Sequence, residues 1–118
     1  MVIGKLAEKV MQKLGVFDRS SGIAAEDLEN VADAYKAVYY VLSDDGLVSW
    51  AYSASDEADI PDRFSLSLIN LIAAEIADFY SVPPPGEGWL ATKEMATRQI
   101  RKQLASGQPT ETVTAEYY

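Results

Sequence analysis

Hydrophobic and polar positions alternate most clearly between Asp59 and Val82. At 100° per residue, Phe64, Leu68, Ile69, Leu71, Ile72, Ile76, Phe79 and Tyr80 cover about half of a helix circumference, wider than the stripe of an ordinary surface helix. The pattern predicts a central helix. Pro61 suits its first turn, where the missing N–H costs nothing, and Asp59 or Asp62 can cap the free amides. Pro83-Pro84-Pro85 ends it. Ala73, Ala74 and Ala77 fall at or beyond the edge of the apolar arc, where a neighbouring backbone can approach closely. Glu75 falls inside the arc, beside Phe64, Leu68, Leu71 and Phe79. A carboxylate in that position needs a partner, so Glu75 is expected as a buried carboxylate in a structural ion pair with a basic residue of another helix.

Two helices are predicted before this one. From Val2 to Leu14, Ile3, Leu6, Ala7, Val10, Met11 and Leu14 share one side, and Gly15 is placed to end the helix in a left-handed conformation. A loop rich in Asp, Ser and Gly follows. The second helix runs from Ile23 to Ser43, with Ser20 or Ser21 as its cap. Its stripe is Leu28, Val31, Ala32, Tyr35, Val38, Tyr39 and Leu42, and Glu26, Glu29, Asn30, Asp33 and Lys36 face the other way. Tyr40 and Val41 interrupt that polar face, a pairing that points to contact with another chain. Asp44-Asp45-Gly46 is a turn signal. In the next stretch Val48, Trp50 and Tyr52 alternate with Leu47, Ser49 and Ala51, consistent with a short strand or an extended segment packed on the helices.

A fourth helix is predicted from Glu87 to Ala105. Trp89, Leu90, Ala96, Ile100 and Leu104 share a face, Arg98, Arg101 and Lys102 lie on the other side, and Glu94 can pair with Arg98. Gly107-Gln108-Pro109 ends it. Beyond lies a segment of different character, in which Thr110, Thr112, Val113 and Thr114 favour strand and Tyr117-Tyr118 offer aromatic anchors. The predicted fold is all-α: a small four-helix, bundle-like domain over residues 1–106. It has a short extended segment between helices two and three and an extended docking tail over residues 107–118.

Charge sharpens this picture. The 118 residues carry a net −8. Between Ile23 and Asp62 there are ten acidic residues and one basic, Lys36, whereas Gly86 to Ser106 is net positive. An acidic middle argues against wrapping nucleic acid, which requires phosphate neutralisation. The three basic residues of helix four are placed to meet the acidic face of helix two, within the fold or on a neighbouring subunit.

The chemistry available is narrow. There is no cysteine and no histidine, which removes disulfides, thiol and imidazole catalysis and the usual zinc sites. Asp56, Glu57, Asp59 and Asp62 do not have the spacing of an EF-hand, so neither metal nor cofactor is expected. No continuous apolar run is long enough for a membrane span, and a soluble protein is expected. Glu75 and Asp78 stand one helical turn apart, a separation that a glycosidase pair could use. No base or nucleophile accompanies them, and no catalytic residue is assigned.

The order of these signals resembles a known family. Lys-Leu-Gly-Val at Lys13–Val16 closes the first helix. A long acidic helix, the segment Gly46-Leu47-Val48-Ser49-Trp50, Ile60-Pro61-Asp62 and a helix reading Leu-Ile-Asn-Leu-Ile-Ala-Ala-Glu-Ile-Ala-Asp-Phe-Tyr follow in turn. Over about Leu6 to Leu104 the chain resembles the head-to-tail adaptor (connector, head-completion) proteins of tailed bacteriophages, especially the tail accessory adaptors of short-tailed phages. The resemblance implies four helices and a non-enzymatic virion protein made in the host bacterial cytoplasm and placed at the head–tail junction. It also implies a homo-oligomeric ring, dodecameric on the portal, that extends the DNA channel and presents a surface to nozzle or tail-tube proteins. DNA would pass without specific binding, and the C-terminal extension would reach into the portal ring. The interface candidates are then Tyr40, Val41, Arg98, Arg101, Lys102, Val113, Tyr117 and Tyr118. The alternative is a small acidic helical binding module, a regulator or DNA mimic that occupies a basic partner through Glu26, Glu29 and Asp33.

Overall fold

The computed structural model describes residues 1–17, 20, 22–53 and 60–107, and over these residues it is all-helical. Helix α1 spans Ile3–Leu14, and its six apolar side chains, Ile3, Leu6, Ala7, Val10, Met11 and Leu14, are all buried. Burying each of the larger ones stabilises the fold by about 1.5–3 kcal/mol. Gly15 ends the helix at φ 76°. Its N–H donates to the Gln12 carbonyl and that of Val16 to the Met11 carbonyl, both at 3.1 Å. These bonds satisfy carbonyls that the helix itself leaves free, and the left-handed geometry favours glycine.

Helix α2 spans Ala25–Asp44 and buries Val31, Tyr35, Val38, Tyr39 and Leu42. It begins two residues later than its periodicity implied. Ala24 is the capping position and supplies no side-chain hydrogen bond, so Ser20 does not cap it, and Ser21 lies outside the described residues. Glu26 and Asp27 in the first turn instead place negative charge at the positive end of the helix dipole. After α2 the chain turns at Gly46, φ 72°, and the Leu47 N–H closes onto the Leu42 carbonyl at 2.8 Å.

The segment that follows is extended without strand pairing among the described residues. Its aromatics are held by side-chain bonds to α2. Trp50 Nε1 donates to the Tyr35 hydroxyl at 2.9 Å, and the Tyr39 hydroxyl donates to the Trp50 carbonyl at 2.7 Å. The Trp50 ring stacks on Phe64 with centroids 5.2 Å apart, and Tyr52 stacks on Tyr35 at 5.9 Å. Offset stacking of this kind adds about 0.5–1.5 kcal/mol per pair beyond area burial.

A 3-10 turn, Asp62–Phe64, leads into helix α3, Ser65–Ile76. Ser65 Oγ donates to the Asp62 carbonyl at 2.8 Å, which fixes the entry. The amino group of Met1 donates to the Ile60 carbonyl and lies 3.2 Å from Asp62 Oδ1, while the Ile60 N–H returns to the Met1 carbonyl at 3.1 Å. The start of α1 is thereby stapled to the start of α3. The predicted central helix does not stay α-helical to Tyr80. It tightens to a 3-10 turn over Ala77–Tyr80, and Ser81, φ 54°, ends it ahead of the prolines. Helix α4 spans Gly88–Gly107, burying Ala96 and Ile100 and packing Trp89 and Leu104 against the core.

α3 is the shared partner. α1, α2 and α4 all pack on it, and α1 also packs on α2. Ala73 and Ala77 are completely buried, so small side chains mark the places where a neighbour sits closest. α2 and α4 rest on α3 rather than on one another.

Candidate functional site

Because α2 and α4 flank α3 without closing over it, a groove runs along α3 between them. It holds about 290 Å³ and is lined by Val38, Val41 and Leu42 of α2, Leu71 and Glu75 of α3, and Lys93 and Thr97 of α4. Glu75 is also a wall of the next depression, which Asn30, Asp33, Ala34 and Phe79 share. Lys93 Nζ spans the groove to Glu75 Oε1 at 2.6 Å.

The Glu75 expectation therefore needs correction in one respect. Its partner is a basic residue of another helix, Lys93, but the carboxylate is not buried: its side chain is 43% exposed. Phe79, on the same angular face, is 76% exposed. The face formed by Phe64, Leu68 and Leu71 is covered in the first two turns of α3 and emerges into the groove at Glu75. The 3-10 tightening then turns Phe79 outward and Tyr80 inward, toward α2. The Tyr80 hydroxyl donates to Asp27 Oδ1 at 2.6 Å and accepts from Asn30 Nδ2 at 3.2 Å. Burial of the ring, more than the neighbouring Asp27 carboxylate, raises the Tyr80 pKa above the ordinary tyrosine value, and the Asn30 hydrogen bond opposes the shift.

The other candidates fall into separate patches. Tyr40 and Val41 project from the last turns of α2, and Val41 is 62% exposed. Tyr40 is not isolated, because its ring meets those of Tyr39 and Tyr52 at 5.5 Å. Arg98, Arg101 and Lys102 are all exposed on α4, and Arg98 and Arg101 line a shallow depression with Lys93, Glu94 and Thr97. Among the described residues neither Glu94 nor α2 supplies an ion-pair partner to these three cations. The anticipated Glu94–Arg98 pair is not formed. Nor do the basic and acidic faces meet within the fold, since Glu26, Glu29 and Asp33 stand exposed on α2 across α3. Val113, Tyr117 and Tyr118 lie outside the described residues.

Periodicity also placed Leu90 on the inner face of α4, whereas it is 70% exposed. It stands about 100° from Trp89 around the helix, and only Trp89 turns toward the core. Two features were not foreseen: the groove over α3, and a larger cleft at the end of the bundle between the Gly46–Ser49 turn and the last turns of α4. Their apolar linings are built from residues distant in sequence, so no local spacing could announce them. Among the described residues, no cluster of three or more acidic side chains is placed to hold a metal, and no helix is long and apolar enough to cross a membrane. Comparison of the chain with family models, curated proteins and solved structures finds no match.

Proposed function

We propose that the chain is a non-enzymatic structural adaptor of a tailed-phage virion, which assembles as a ring on the portal, extends the DNA channel and presents an attachment surface to tail proteins. One observation carries the reading: the protomer bears a basic patch on α4 and an acidic patch on α2, exposed and held apart by α3. Two complementary patches at different places on one molecule make a head-to-tail contact between copies. Repetition of such a contact generates a ring when the rotation closes. The exposed Tyr40 and Val41 add an apolar element to the same outer surface, and the four helices follow one another in the order that the adaptor resemblance implies.

The acidic face of α2 taken alone favours a second reading, a small binding module for a basic partner. The two readings separate by light scattering of the purified chain, alone and mixed with the portal protein of the same genome. The adaptor reading expects a species of multiple copies bound to the portal, visible as a ring by electron microscopy. A chain that ignores the portal, and instead binds a basic partner with an affinity that collapses in salt, would replace it with the second reading.

A further inference from the structure

The cleft at the end of the bundle holds about 610 Å³ and has no role in the packing of the helices. Its apolar lining comes from Leu47, Val48, Phe64 and Leu104, and Arg63 and Arg101 stand at its edge. Both arginines are exposed. Arg63 is held in place by its Nη2 donating to the Gln103 carbonyl at 2.8 Å and by its guanidinium lying 5.5 Å from the Phe64 ring centre. The site therefore offers an apolar floor with two cations above it, and the last turns of α4 form one of its walls.

We propose that this cleft receives residues 109–118 of its own chain. The first argument is reach. α4 ends at Gly107, one turn beyond Leu104 in the cleft wall, and the six residues from Gly107 to Val113 can span up to about 20 Å. The second is charge: the segment contains Glu111 and Glu116 and no basic residue, matching the two arginines. The third is pattern. In extended form Glu111, Val113, Ala115 and Tyr117 fall on one side, which presents an acid followed by three apolar groups to a floor with cations at its rim. Pro109 favours the change of direction after the helix. This docking needs neither a ring nor a portal, so it stands apart from the adaptor reading.

The absence of cysteine from the chain makes a clean test available. In the full chain, Ser49 in the cleft wall and Ala115 in the segment are both replaced by cysteine, and the dilute protein is oxidised and resolved by non-reducing electrophoresis and mass. A disulfide within one chain is expected. It should form about tenfold more slowly when Val113→Asp is added, and likewise with R63E and R101E together, helix content being checked by circular dichroism. Val113 lies outside the helices, so its variant stays informative if the arginine changes unfold the bundle. Equal rates with and without Val113→Asp would reduce the crosslink to random encounter and overturn the proposal. So would a disulfide that forms only between two chains, which would give the cleft to a second copy.

Discussion

Glu75 and Lys93 join α3 to α4 through a single contact of 2.6 Å, with both side chains more than a third exposed. Exposure limits what such a pair contributes. Glu75→Gln is expected to cost less than about 1 kcal/mol in urea denaturation, and the difference should shrink in about 1 M salt as screening removes the attraction. A loss of about 3 kcal/mol or more would mean that the carboxylate is effectively buried.

Tyr80 bridges Asp27 and Asn30 of α2, and Tyr80→Phe removes one donor and one acceptor. The expected cost is about 1 kcal/mol near neutral pH. The pH dependence follows from the raised pKa. The folded chain holds the phenolic proton more tightly than the unfolded chain does. Tyr80 therefore contributes its full stability below about pH 10, the unfolded value, and loses it as pH rises through the higher folded value. Urea midpoints at neutral and alkaline pH should show wild type losing more than Tyr80→Phe.

Tyr35 is fully buried and its hydroxyl is the acceptor for Trp50 Nε1. Tyr35→Phe leaves that indole N–H without its partner, at an expected cost of about 1–3 kcal/mol. Measured in a Trp89→Phe background, where Trp50 is the sole indole, the emission maximum should move as the ring loses its anchor. An unchanged spectrum and midpoint would mean that Trp50 is held by stacking on Phe64 alone.

Ala73 has no exposed surface. Ala73→Leu forces four-carbon bulk into a close helix contact, and overpacking of this kind costs about 1–3 kcal/mol. Thermal unfolding of that variant should fall well below that of Ala74→Leu, because Ala74 is only partly buried.

Charge reversal tests the head-to-tail contact. Replacing Arg98, Arg101 and Lys102 with Glu should abolish assembly on the portal, as should replacing Glu26, Glu29 and Asp33 with Lys. A chain carrying both sets has complementary patches again and should regain association with its own copies. Assembly unaffected by either reversal would place the subunit contact elsewhere.

What the sequence made legible is the angular position of side chains; how far along a helix its neighbours extend was not legible. All six inward residues of α1 were readable because that helix is covered over its whole length. Glu75 and Phe79 were placed on the correct face of the central helix but given the wrong depth, because α2 and α4 leave the C-terminal end of that face open. Tyr40 and Val41 could be recognised as misplaced on a polar face, and they are exposed. The groove and the cleft could not be recognised, because each is a space between elements that meet only in the folded chain.

The position of α3 has a consequence for how the molecule opens. α1 and α2 hold α3 and each other, whereas α4 rests on α3 and the short turn before it. The smallest cooperative opening is therefore the release of α4, with the three-helix remainder still closed around most of its core. Amide protons of α4 should exchange through this partial opening at a lower free energy than those of α1. Release would uncover the outer side of α3 and carry the basic patch away together with the segment that follows it, so a partner that captures α4 would need to disturb only one helix interface.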